Sequence, residues 1–208
     1  MATKRTKKIK EQVVEEKKIL AIIGSAGRNE DFNHYTIEKW NESKRILLKV
    51  VQDNKFKTII SGGAAHVDHL SVQMFNKGLV DKLYLELPCN FDEKKVQYYD
   101  EQDYNTMNVT NYHHETFSQK FRINSLAQIK EAMRNGAKCT IGLGFYDRNV
   151  SIASKATDLI AFTFGNLDQV KVKSGTAHTV FSFLNRHPNG KTWHVDLNTM
   201  RIHEGIRI

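Results

Sequence analysis

Apolar residues along the chain follow two patterns. Short unbroken runs occupy residues 18–23, 57–60, 83–87, 158–164 and 192–197; runs of this length, closed by small residues or by Pro88, read as strands buried on both faces. Between them Ile37, Trp40, Leu47, Leu48 and Val51 recur at helical spacing over 36–51, with Lys and Glu on the opposite face. Val67, Leu70, Met74 and Phe75 mark a second amphipathic stretch that ends near Gly78, and Leu126, Ile129 and Met133 a third over 118–135. Residues 148–156 and 176–184 predict two more helices, whereas 138–145 fits either a strand or a glycine-loosened loop. Strand and helix alternating at this interval predict an α/β, Rossmann-like three-layer fold: a mainly parallel sheet with helices on both faces.

Residues 90–116 break that rhythm. They are polar, rich in Tyr, Asp and Asn, and read as an insertion or lid, with 92–103 free enough of helix breakers to be partly helical. The 208 residues suit one main core, so the expected organisation is a basic tail at 1–17 and a single domain at 18–208 carrying the insertion.

Composition narrows the class. Hydrophobic residues at 40% and charged residues at 26%, with a mean hydropathy of −0.51, describe a soluble globular chain with no run long enough to span a bilayer. The start of the chain lacks the apolar stretch of a secretory signal, so the expected compartment is the cytoplasm. Cys89 and Cys139 are too few for a disulfide framework and are expected as free thiols. Lys+Arg 31 against Asp+Glu 23 gives a net charge of +8, which invites a nucleic-acid reading until the charge is located. Seven Lys/Arg and three Glu lie in residues 1–18, so +4 of the +8 sits at the tail; a solvated terminus is favoured over a nucleic-acid arm.

Three small-residue loops each follow a predicted strand: Gly24-Ser25-Ala26-Gly27-Arg28, Ser61-Gly62-Gly63-Ala64-Ala65, and the stretch from Gly165 to Ser174-Gly175-Thr176. In a parallel sheet these loops share one edge, the carboxyl ends of the strands, where ligands bind at the switch in strand order. Glycine lets backbone approach a phosphate, and the following helix supplies free N–H groups and the positive end of its dipole. Gly24, Ser25, Ser61, Gly62, Gly63, Ala64, Ser174, Gly175 and Thr176 are therefore candidate ligand contacts. Arg28 and Arg148 offer a guanidinium fork to phosphate oxygens, or form surface ion pairs. Asn149 either caps a helix or contacts the ligand. Asp68 either hydrogen-bonds a ribose hydroxyl or satisfies a helix N-terminus; Glu30 and Asp31 read as solvated loop residues. His66 and His69 share a helical face as a metal pair would, but no third ligand accompanies them, and neither a metal nor a cofactor is expected. Phe162, Phe164, Phe181 and Phe183 read as core.

These residues, in this order over about 18–186, resemble the SLOG superfamily, and within it the YspA-like branch: Ile22-Ile23-Gly24-Ser25 with Arg28, Ile60-Ser61-Gly62-Gly63-Ala64 with Asp68, Arg148-Asn149 ahead of residues 156–161, and Ser174-Gly175-Thr176-Ala177-His178. More distant members include the DNA-processing protein DprA and the cytokinin-activating phosphoribohydrolases. The resemblance implies a nucleotide or ribose-containing ligand, and in some relatives cleavage of an N-glycosidic bond. The phosphoribohydrolases carry a glutamate three residues after the threonine of their Gly-Thr motif; here Thr179 follows in that region, beside His178, so the expected acid is absent and Asp68 is the candidate catalytic carboxylate. Three functions follow in order of preference: sensing or sequestration of a nucleotide-like small molecule, a nucleotide N-glycosidase, and DprA-like nucleic-acid binding. A homodimer is the default expectation from symmetry statistics.

Overall fold

The computed structural model describes residues 18–25, 30–165 and 174–206. Seven strands form one sheet in the order β6-β3-β2-β1-β7-β8-β9. These are β1 (Ile19–Gly24), β2 (Thr58–Ser61), β3 (Lys82–Leu87), β6 (Lys138–Ile141), β7 (Asp158–Thr163), β8 (Thr192–Asp196) and β9 (Arg201–Glu204). Every pairing is parallel except β8 with β9. Starting at β1, the chain builds outward through β2, β3 and β6, then crosses back to β7 on the other side of β1. The strand order therefore switches direction between β1 and β7.

Helices cover both faces. On one, α6 (Gly144–Lys155) and α7 (Gly175–Arg186) place Ile152, Ala153, Val180 and Phe183 on Ala21, Ile23, Ile60, Leu159 and Ala161. On the other, α2 (Ile37–Asp53), α3 (His69–Asn76), α4 (Tyr104–Phe121) and α5 (Ser125–Arg134) contribute Trp40, Leu47, Leu70, Phe117 and Ile129 to a core with Leu20, Ile22, Ile59, Leu83 and Leu85. A short α1 (Glu30–His34) precedes α2. Local chemistry sets several ends: Thr36 accepts from the Lys39 N–H at 3.3 Å to start α2, and Ser174 from the Ala177 N–H at 3.1 Å to start α7. The expected three-layer α/β architecture is the one observed. Among the described residues, no helix is long and apolar enough to cross a membrane. Cys89 and Cys139 are free thiols, and burial pushes each up to about 11.

The structure corrects the sequence reading in three places. First, 92–103 is not helical: β4 (Asn90–Asp92) and β5 (Gln97–Tyr99) pair as an antiparallel hairpin, and the helix begins only at Tyr104, where Asp103 accepts from the Thr106 N–H at 2.9 Å. Nor is 90–116 a detached lid, because Tyr98, Thr106, Thr110 and His114 are buried. Second, the single helix expected over 118–135 is two. Arg122 turns left-handed at φ 53°, and Asn124 starts α5 by accepting from the Ala127 N–H at 2.9 Å. Third, β9 closes the sheet antiparallel to β8, a strand the sequence pattern did not suggest. Residues 138–145 divide into β6 and the start of α6.

Candidate functional site

The carboxyl ends of β1, β2 and β7 and the N-termini of α6 and α7 meet at the switch point, and Asp68 lies beneath them. It belongs to a 3-10 turn, His66–Asp68, that leads into α3. The Gly24 N–H donates to its Oδ1 at 3.1 Å, and the Gly62 N–H is also directed at the carboxylate. Ser61 Oγ and Ser71 Oγ donate to the Asp68 carbonyl at 3.1 and 2.6 Å. Burial pushes the Asp68 carboxyl up to about 6, against the opposing pull of the Arg148 guanidinium and the two glycine amides.

A side-chain carboxylate thus occupies the backbone N–H groups that would otherwise cradle a phosphate. The glycines here answer to packing. A Cβ on Gly24 would stand 2.6 Å from Val67 Cβ, and one on Gly62 2.9 Å from Asp68 Oδ2 and 3.0 Å from Arg148 Nε. Gly63 has φ +61°, and a Cβ there would meet Leu87 Cδ2 at 2.6 Å. Ser61, Gly62 and Gly63 are buried and Ala64 half-buried, so the loop after β2 supports the site from below.

The residues left facing outward belong to α6 and α7. Arg148 is half-buried and donates from Nε and Nη2 to Asn149 Oδ1 at 3.2 and 3.0 Å. Asn149 is buried and donates from Nδ2 to the Gly175 carbonyl at 3.2 Å, joining the second turn of α6 to the start of α7. Thr176 Oγ1 donates to the Gly24 carbonyl at 2.9 Å, tying α7 to β1. Gly175 is exposed, and the first-turn N–H groups of Gly175 and Thr176 have no partner within the helix. An anion at this turn would meet those donors, the helix dipole and Arg148 together.

Ser25 stands at the end of β1, its hydroxyl donating to Asp31 Oδ2 at 2.9 Å, so Asp31 is a positioning partner rather than the solvated residue expected. Arg28, the side chain of Glu30 and the basic tail at 1–17 lie outside the described residues. His66 and His69 do not act as a pair. His69 Nε2 is engaged by Gln128 Oε1 at 2.7 Å, while the His66 ring packs among Phe32, Tyr35, Phe117 and Phe121 with neither nitrogen partnered. Among the described residues, no three His, Cys, Asp or Glu side chains are arranged to hold a metal.

Sequence reasoning missed the clamp on the glycine loop. The Gly63 carbonyl accepts from Tyr98 Oη at 3.0 Å and from His114 Nε2 at 3.0 Å. Because Nε2 must donate to a carbonyl, the neutral imidazole leaves Nδ1 to accept from Ser125 Oγ at 2.9 Å, and Ser125 Oγ accepts in turn from Ser118 Oγ at 2.8 Å. Desolvation holds His114 down to about 3, which keeps the ring neutral. Asn111 fixes the hairpin by accepting from the Tyr98 N–H at 2.9 Å and donating to the Tyr98 carbonyl at 3.0 Å. The segment that reads as a lid holds the loop in place. Tyr146 and His178 pack together where α6 meets α7; His178 closes the motif that runs from Ser174, whereas Tyr146 carried no signal beyond its nearness to Arg148.

No family model matches the chain, and no solved structure shows significant similarity to it. A sequence relative is "Uncharacterized protein R261" of Acanthamoeba polyphaga mimivirus, 33% identical over 167 residues that cover 77% of this chain and 87% of the viral protein. At that identity and coverage the chain belongs to the same family as this mimivirus protein.

Proposed function

We propose that the chain binds a nucleotide or nucleotide-derived phosphorylated ligand at the carboxyl edge of the sheet, to sense or sequester it. The observation that carries this reading is the meeting of Arg148, Asn149 and the Ser174-Gly175-Thr176 turn at the switch between β1 and β7, with Asp68 locked beneath. A phosphate would lie against the first turn of α7 with Arg148 at its flank. The SLOG resemblance supports the same ligand class. The test is a thermal-shift screen of nucleotides, cyclic nucleotides and ADP-ribose-type compounds, each stabilising compound being recovered for mass spectrometry. Stabilisation by an intact ligand, lost in Arg148→Ala, is the expected result; the absence of any shift refutes the reading.

One observation favours a second reading, hydrolysis of an N-glycosidic bond. Asp68 is a buried carboxyl raised to about 6, poised to exchange a proton near neutrality. Its two glycine N–H partners favour a structural role, and release of free base from the recovered ligand, abolished in Asp68→Asn, decides between the two.

A further inference from the structure

The two helices that start at the site carry an aromatic surface which the anion-binding turn does not use. Tyr146 lies in the first turn of α6 and is 66% exposed. His178 of α7 backs it, with ring centroids 4.2 Å apart and planes 39° from parallel. His178 Nδ1 is shielded from solvent and has no hydrogen-bond partner, so at that atom no hydrogen bond positions the ring; its packing against Tyr146 does. The platform is tied to the turn at both ends. Asn149, three residues beyond Tyr146 and so on the same face of α6, donates to the Gly175 carbonyl at 3.2 Å. His178 stands three residues beyond Gly175, close to one helical turn of about 5.4 Å. In a nucleoside monophosphate, one ribose separates base from phosphate, a span comparable with that turn.

We infer that Tyr146, held by His178, is the stacking surface for the base of the bound nucleotide, so that the site prefers a nucleoside monophosphate to a sugar phosphate lacking a base. This rests on the reading above and narrows it. Tyrosine presents a rigid π face at little entropic cost, and stacking tolerates any base. Selectivity among bases is therefore weak, and selectivity for having one is strong. Arg148, set over the Phe145 ring at 5.3 Å, serves the phosphate and acts equally on both ligand types.

Titration calorimetry with nucleoside monophosphates and with ribose 5-phosphate, on the wild-type protein and on Tyr146→Ala, Tyr146→Phe and Arg148→Ala, tests this. The wild type is expected to bind a monophosphate about tenfold or more tightly than ribose 5-phosphate. Tyr146→Ala removes that preference, Tyr146→Phe keeps it, and Arg148→Ala weakens both ligands alike. A preference that survives Tyr146→Ala, or equal wild-type affinity for the two ligands, overturns the stacking role while leaving the anion site standing. Binding of neither ligand by the wild type overturns the site itself and this inference with it. Because Tyr146 is exposed, unchanged melting of the alanine variant confirms that the fold is intact.

Discussion

Three histidines buried beside the candidate site make stability depend steeply on pH. Desolvation holds His66 down to about 3, His69 to about 4 and His114 to about 3, against an ordinary value of 6.5. Between pH 6.5 and 5 the unfolded chain protonates all three while the folded protein protonates none, so the unfolded state binds more protons and stability falls as pH falls. At about 1.4 kcal/mol per pH unit, each histidine contributes a loss of about 2 kcal/mol on going to pH 5, or about 6 for the three. Asp68 works in the opposite direction. Raised to about 6, it takes up a proton in the folded state first, and returns about 1 kcal/mol over the same interval. Asp92, held low by the Lys95 N–H, changes protonation only below this window. The net loss is about 4–5 kcal/mol, a large share of a typical domain stability of about 5–15 kcal/mol. Urea unfolding at pH 7, 6 and 5 measures it directly. His66→Phe, which replaces an imidazole lacking hydrogen-bond partners with a ring suited to its aromatic surroundings, reduces the loss by about 2 kcal/mol. Stability that is flat to within about 1 kcal/mol from pH 7 to pH 5 would falsify the reasoning.

Other consequences concern the loop after β2 and its supports. Tyr98→Phe removes one of two donors to the Gly63 carbonyl and is expected to cost about 1 kcal/mol, seen as a melting temperature lower by about 2–4 °C; an unchanged melt contradicts the clamp. Gly24→Ala drives a methyl into Val67 and costs about 2–3 kcal/mol. Val67→Ala added to it recovers part of that loss, a coupling that a double-mutant cycle by urea unfolding reads out; strict additivity would rule out the contact. Glu86 is buried on β3, accepting from Ser151 Oγ at 2.6 Å and from Lys155 Nζ at 2.7 Å. Lys155→Met leaves that carboxylate with Ser151 alone among these two partners and lowers unfolding free energy by about 2 kcal/mol.

The parts legible from sequence were those set by local pattern. Ile19–Gly24, Thr58–Ser61 and Asp158–Thr163 are central parallel strands, apolar on both faces, and their unbroken runs announced them. The helices read over 36–51 and 176–184 begin within a residue or two of where the structure starts them, at Ile37 and Gly175, with Thr36 and Ser174 supplying the caps. The hairpin at 90–99 was invisible because it is held by long-range partners: Asn111 pairs with the Tyr98 backbone from thirteen residues away, and no period of two develops over two three-residue strands. The break at Arg122 interrupts an apolar spacing that continues on either side of it, so periodicity alone joined the two helices. At the site, the motifs drew attention to Asp68, Arg148, Asn149 and Gly175, which the fold brings together. Their division of labour was hidden, since only the fold shows that Asp68 takes the amides of Gly24 and Gly62, which leaves the first turn of α7 as the place proposed for an anion. Tyr98 and His114 reach Gly63 across 35 and 51 residues, a contact no local signal encodes.

The proposed function requires a phosphorylated ligand at the first turn of α7. Amide chemical shifts recorded during titration with a nucleoside monophosphate locate it directly. Saturable shifts centred on Gly175, Thr176 and Arg148, weakened at least about tenfold in Arg148→Ala through loss of a bidentate contact to phosphate, are the predicted result. Saturable shifts confined to another surface, or none at millimolar ligand, would contradict it.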